Sequence, residues 1–396
     1  MAVLARNVLW SCTLLATGFG ALPANADDAP QPPPAATTPS SPSGEAKADP
    51  YAVPDGTPEQ ITDFLDDLRR SRKVFASRED AVDHAIKVQR ALIAGADKIL
   101  AQKTDEDTAY AAAEMKLQAL GLLASAGIDG AMAEALKAAR SLQKDEREDI
   151  AELAGEWVTE LRVVGAPELE PAERTALVNE FLDAVKKTKY SRQSLSNAIR
   201  LGESLETNPD ASIAAEYYAD LSALMKSSLN SQYVEIAEYL DATVRRLRLP
   251  GNSMVVTGTT LAGQPFDWKT YKGKVVLVDF WATWCEACVA ELPNIKANYD
   301  KYHAQGFDVV GISVDEDKDQ LAAFLKSQQI PWTNLFAEGG EQPTASYYGI
   351  SPLPTAILVG RDGKVLSLMA RGEILNELLE KEFAKAPPAS KPEPKK

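Results

Sequence analysis

The hydrophobic period changes once along this chain, at Pro250-Gly251-Asn252-Ser253, and a single bundle or sheet accommodates only one of the two patterns. Before that breaker, apolar residues recur every three or four positions, the spacing of one buried helix face. After it they gather in short, β-branched runs, the mark of strands buried on both sides. At 396 residues the chain is also too long for one small domain. Two folded parts are expected: an N-terminal all-α helical domain over residues 57–250 and a C-terminal α/β domain over 251–386.

In the first part, Thr57-Pro58-Glu59-Gln60 is a capping box with proline at the first helical position. Ile61, Phe64, Leu65 and Leu68 then mark one buried face. Ser77-Arg78-Glu79-Asp80 starts a second helix, and residues 104–107 a third that carries Met115, Leu117, Leu120 and Leu123. Further starts lie near Ile128, Asp145, Pro171, Ser191, Asp210 and Gln232, so seven to nine antiparallel helices are expected. No repeat period emerges. The domain reads as a bundle that positions or dimerises the protein, or as a scaffold for a protein partner.

In the second part, residues 255–256 and 259–266 predict two short strands around a turn. Residues 275–278 form a buried-strand run leading to Phe280-Trp281, followed by an amphipathic helix to about His303. Residues 307–314 are a second buried strand and 319–328 a helix. Residues 355–359 and 365–369 read as strands joined by the turn Gly360-Arg361-Asp362-Gly363, and 374–383 as a closing helix.

Arg6, an apolar stretch over residues 8–22 and then Ala24-Asn25-Ala26 fit an export signal over residues 1–26. Cleavage near Ala26 would leave a periplasmic or otherwise extracytoplasmic protein; an uncleaved membrane anchor is the alternative. Residues 27–56, rich in Pro, Ala, Ser and Thr, read as a flexible linker, and 387–396 as a disordered tail. The net charge of −15, with no basic cluster, argues against nucleic acid as a partner. Of three cysteines, Cys12 leaves with the signal, and Cys285 and Cys288 remain as one Cys-x-x-Cys pair. An exported protein that keeps one such pair keeps it for chemistry. His84 and His303 are the only histidines, so neither a metal site nor any other cofactor is expected.

The segment 274–288, in which an apolar strand leads to Thr283-Trp284-Cys285-Glu286-Ala287-Cys288, resembles the active-site strand and turn of the thioredoxin superfamily. It is most similar to the TlpA/ResA-like branch, exported proteins associated with cytochrome c maturation. Val289-Ala290-Glu291-Leu292-Pro293 resembles that branch's acidic residue and proline on the active-site helix. Gly349-Ile350-Ser351-Pro352-Leu353-Pro354-Thr355 resembles its cis-proline loop, and the turn from Gly360 to Lys364 its terminal hairpin. The likeness spans residues 253–385 and none of the helical region. It implies a thioredoxin-like fold for the C-terminal domain and a protein-disulfide oxidoreductase working by dithiol–disulfide exchange.

Such exchange needs a thiolate that attacks a disulfide through a mixed-disulfide intermediate. Cys285 sits at the strand-to-helix turn, where free N–H groups and the helix dipole stabilise negative sulfur. It is expected to be the exposed nucleophile, with Cys288 more buried as the resolving thiol, the two forming a redox-active disulfide. The resemblance implies that Asp279 accepts the proton of the resolving cysteine. A carboxyl buried in an apolar strand has a raised pKa, which suits that task. Glu291 is implied to relay protons to the pair, while Glu286 tempers the acidity of the thiol. Pro354 is expected to be cis and to expose the Leu353 backbone to an incoming peptide. Trp284, Leu353 and Thr355 are the expected substrate-contacting positions. His303 reads as structural, and His84 has no visible partner.

The implied partners are disulfide-bearing exported proteins and a membrane thiol electron donor, with the helical domain open to a protein partner or self-association. Two other functions compete. Peroxiredoxins share this fold and place Thr shortly before a reactive Cys, as Thr283 stands before Cys285, although their Pro-x-x-x-Thr-x-x-Cys pattern is absent. A helical partner-binding scaffold with an attached redox domain is the non-enzymatic alternative.

Overall fold

The computed structural model describes residues 49–71, 73–228 and 230–384. The expected signal peptide, residues 27–48 of the expected linker and the tail at 387–396 lie outside the described residues.

Nine α-helices occupy the helical part of the described chain: α1 (Pro58–Arg70), α2 (Arg78–Leu100), α3 (Glu106–Ser125), α4 (Ala131–Leu142), α5 (Glu148–Gly165), α6 (Pro171–Lys187), α7 (Arg192–Leu205), α8 (Ala211–Lys226) and α9 (Ser231–Leu247). Their starts follow the caps. Thr57 Oγ1 accepts the Gln60 N–H while Gln60 Oε1 accepts the Thr57 N–H, so the box closes on both sides. Ser77, Asp105, Ser191, Asp210 and Asn230 cap α2, α3, α7, α8 and α9 with their side chains.

The chain divides into two compact units, one ending at Gly165 and the other beginning at Ala166. The first holds α1–α5 around a core in which buried alanines, among them Ala91, Ala96, Ala112 and Ala135, fill the space between Leu65, Leu117 and Leu120. Residues 49–56 were expected to belong to the linker, but they are held to α2. Lys98 Nζ donates to the Val53 carbonyl at 2.8 Å and pairs with Asp55, and Gln102 donates to the Gly56 carbonyl. Tyr51 and Val53 supply the reason, because both pack against the helical core. His84 also has a partner after all: its Nδ1 shares a hydrogen bond with Tyr51 Oη, and the Phe75 ring lies 5.1 Å away.

The second unit joins α6–α9 to the α/β part. The latter contains β1 (Val275–Trp281), α10 (Glu286–Tyr302), β2 (Phe307–Ser313), α11 (Lys318–Ser327), β3 (Thr333–Leu335), α12 (Pro343–Tyr348), β4 (Thr355–Val359), β5 (Val365–Ser367) and α13 (Gly372–Ala384). The sheet order is β3-β2-β1-β4-β5, with β1 and β3 parallel to β2, β4 antiparallel to β1, and β5 antiparallel to β4. Every residue of β1 and β2 is buried, which explains their largely apolar runs, interrupted by Asp279 in β1 and by Asp308 and Ser313 in β2.

The faces of β1 alternate. Val276, Val278 and Phe280 pack with Leu249, Met254, Tyr348 and Ile357 on one side. Val275 and Leu277 pack with Leu292 and Ile295 of α10 and Leu375 and Leu379 of α13 on the other. The strands expected at 255–256 and 259–266 do not form; single bridges Ser253–Lys364 and Thr259–Pro265 stand in their place. Pro265 has no N–H to extend a ladder. Neither the three-residue β3 nor α12 was expected.

Candidate active site

β1 ends at Trp281, a three-residue turn follows, and Cys285 is the N-cap of α10. The Cys288 N–H donates to Cys285 Sγ at 3.2 Å, the hydrogen bond of a side-chain cap with sulfur as acceptor. The cysteines are joined as a disulfide, with Cα atoms 5.2 Å apart. Cys285 is 9% exposed and Cys288 3%, so the expected exposed nucleophile is largely covered, although it is the more open of the two. A groove of about 370 Å³ reaches Cys285 and is lined by Trp284, Val314, Ile350, Ser351 and Leu353. Trp284, 64% exposed, forms part of its rim, and the Leu353–Pro354 peptide is cis.

A buried acid holds the turn before Cys285. Asp315 is 2% exposed and accepts the Thr283 N–H, the Thr283 hydroxyl at 2.6 Å and the Ser313 hydroxyl at 2.7 Å. The Val314 N–H adds a bond to the Trp281 carbonyl. A carboxylate out of water is tolerated when its lone pairs are filled in this way. Asp315 was not singled out from the sequence, where it opens the acidic run Asp315-Glu316-Asp317 and looks like a solvated turn. Its alternation with Ser313 at the end of a buried strand was the available signal.

Asp279 lies in the middle of β1, paired with Gly311 and Ala356, on the same face as Leu277 and Trp281. It is 5% exposed. Its carboxyl is pushed up to about 7, chiefly by burial in this apolar layer and also by the negative charge of Glu291, with the Arg371 guanidinium opposing both. Trp281 of the same face belongs to the cluster that holds both cysteines, and its indole donates to Asn334 Oδ1 at 3.0 Å. That bond passes over Gly311, where a Cβ would lie 2.0 Å from Asn334 Oδ1.

Glu291 is half-buried and not a plain surface residue. Its Oε1 accepts the Gly372 N–H at 3.0 Å and an Asn294 side-chain N–H at 3.1 Å, which ties α10 to the start of α13. Arg371, unremarked in the sequence, donates to the Pro354 carbonyl at 3.1 Å. It therefore links the cis-proline loop to the electrostatics of Asp279. Thr355 donates its hydroxyl to the Pro352 carbonyl and pairs with Phe280. The structure brings Trp284, Cys285 and Leu353 to one groove, with Cys288 beneath Cys285 in the same cluster. Thr355 is spent on its own loop. Among the described residues no group of three or more His, Cys, Asp and Glu is placed to hold a metal ion.

The C-terminal part is similar to known proteins. A family profile described as "AhpC/TSA family" matches residues 252–367. The thiol-disulfide oxidoreductase ResA of Bacillus thuringiensis subsp. konkukian is 35% identical over 130 residues, 33% of this chain and 73% of that protein. The chain belongs to the ResA family of thiol-disulfide oxidoreductases. ResA of Bacillus subtilis is 32% identical over 107 residues, 27% of this chain and 59% of its own length. Among solved structures, the thioredoxin domain of a thiol-disulfide oxidoreductase from Bacteroides vulgatus is 28% identical, covering 33% of this chain and 96% of that one, with a TM-score of 0.31. The ResA-type region is the α/β part, and the protein is accordingly an oxidoreductase that exchanges thiols and disulfides with substrate proteins.

Proposed function

We propose that Cys285 and Cys288 form the redox centre through which this protein reduces disulfides in proteins outside the cytoplasm, of the kind handled in cytochrome c maturation. One observation carries the reading: the disulfide sits at the N-cap of α10 and opens on a groove lined by Trp284 and Leu353. In the reduced protein the Cys285 thiolate attacks a substrate disulfide, forming a mixed disulfide and releasing one substrate thiolate. Cys288 gives its proton to the Asp279 carboxylate and attacks Cys285 Sγ. The substrate leaves as a dithiol, and the chain returns to the disulfide state. Glu291 acts on that proton through its charge. Pro354 presents the Leu353 backbone to the substrate, Trp284 completes the contact surface, and Thr355 braces the loop through its bond to the Pro352 carbonyl.

Two electrons must then return from a membrane thiol donor. The export signal at residues 1–26 supports the location, and in this reading residues 251–386 are the redox module attached to the helices of 57–250. Equilibration of the whole mature protein with thiol buffers tests the direction of flow. A potential near or below about −200 mV is expected, and one near about −120 mV would mark an oxidant and overturn the reading.

The AhpC/TSA match keeps a thiol peroxidase as the second reading. The Thr283 hydroxyl donates its hydrogen bond to Asp315, so that proton is already committed and is not offered to a peroxide. Peroxide consumption that depends on Cys285 would establish this alternative.

A further inference from the structure

The loop that carries three groove residues is rooted on a helix that lies before the matched family segment. Ile350, Ser351 and Leu353 follow Gly349, the C-cap of α12, at φ +60°. A Cβ at Gly349 would lie 2.9 Å from the Thr243 nitrogen and 3.1 Å from the Ala242 carbonyl carbon, both backbone atoms of α9. The two segments therefore touch backbone to backbone, a closeness that only glycine permits at a left-handed position.

Two residues before Gly349, the Tyr347 carbonyl accepts the Nε–H of Arg245 of α9 at 2.8 Å, and the guanidinium lies 4.6 Å from the centroid of the Tyr347 ring. Tyr347 is 54% exposed. The carbonyl Arg245 holds belongs to the last turn of α12, where backbone acceptors have no partner within the helix. On the other side Tyr348 is buried, and its hydroxyl accepts the Val255 N–H. The root of the loop is thus clamped between the sheet core and α9, and Ala242, Thr243 and Arg245 all precede residue 252, where the family match begins.

We propose that α9 is a positioning element for the groove, in which Arg245 and the Ala242–Thr243 backbone fix the loop from Gly349 to Pro354 and so set how well an extended peptide docks beside Cys285. Arg245 is a positioning residue that touches neither sulfur. A small disulfide reaches Cys285 without the loop, whereas a peptide must lie along it. The inference rests on the disulfide-reductase reading above and gives α9 a role in that activity.

The test uses the full mature chain, reduced, with two probes: a peptide containing an oxidised Cys-x-x-Cys pair, and dithiobis-nitrobenzoate. Arg245→Ala is expected to slow the peptide reaction about tenfold, the loss of one charge-assisted hydrogen bond, and to leave the small-disulfide rate within about twofold. Arg245→Lys, which keeps a cationic donor, recovers part of the peptide rate, and it carries the comparison if Arg245→Ala does not fold. Gly349→Ala, which wedges α9 from the loop, shows the same split. Equal changes with both probes, or no change with either, overturn the inference. A wild-type protein that reduces neither probe removes the proposed function itself, whereas a reactive wild type with an unaffected Arg245→Ala removes the α9 role alone.

Discussion

Asp279→Asn should make the α/β part less sensitive to pH, and the size of the effect follows from its burial. The carboxyl has an ordinary value of 3.8 and is pushed up to about 7 in the fold. Below the ordinary value both folded and unfolded chains hold the proton, and the stability it confers is fully present. As pH rises past it, the unfolded chain releases the proton while the folded chain keeps it, so stability falls until the folded carboxyl itself ionises. The whole gap corresponds to about 4 kcal/mol, of which about 3 kcal/mol is lost between about pH 5 and about pH 8.

Asparagine keeps the shape and cannot ionise. Relative to wild type, the variant should be about 3 kcal/mol more stable at about pH 8 than at about pH 5. Urea unfolding of the disulfide form, read from hydrogen exchange in peptides covering β1, isolates this unit from the first. A wild-type-to-variant difference that is the same at both pH values would refute the reasoning, because it would mean that the folded carboxyl ionises near its ordinary value.

The charges around Asp279 should act in opposite directions. Glu291→Gln lowers the pKa of Asp279 and Arg371→Met raises it, as followed by the carboxyl carbon shift in NMR titration; shifts of the same sign would mean the neighbours are wrongly assigned. Asp315→Ala strands the Thr283 donors in a buried turn and should cost about 3 kcal/mol in urea unfolding, whereas a loss under about 1 kcal/mol would show that these donors find other partners.

The helix starts were legible because each rests on a local signal: Thr57 with Gln60, Ser77, Asp105 and Pro171 name their own positions. The two fully buried strands were legible because burial on both faces leaves a mostly apolar run, Val275 to Val278 in one and Val309 to Ile312 around Gly311 in the other. β3 and α12 were not, since three residues of strand and six of helix are too short for any period to show. The same division holds at the site. The spacing of Cys285 and Cys288 is a local property. The bonds from Thr283 to Asp315 and from Arg371 to Pro354 span 32 and 17 residues and exist only once the sheet has formed. The docking of α9 on Gly349 belongs to the same class, a contact between remote segments that pattern alone leaves unspecified.

Trp284 combines two properties described separately above. It is the residue before Cys285, and 64% of it faces solvent. Indole emission is quenched by a nearby disulfide and responds to the polarity around the ring. Opening the disulfide should therefore alter the light emitted at this position, and also that of Trp281, 2% exposed and packed in the cluster that holds both cysteines. The chain thus carries an optical reporter of its own oxidation state, readable in unlabelled protein on the time scale of the exchange itself.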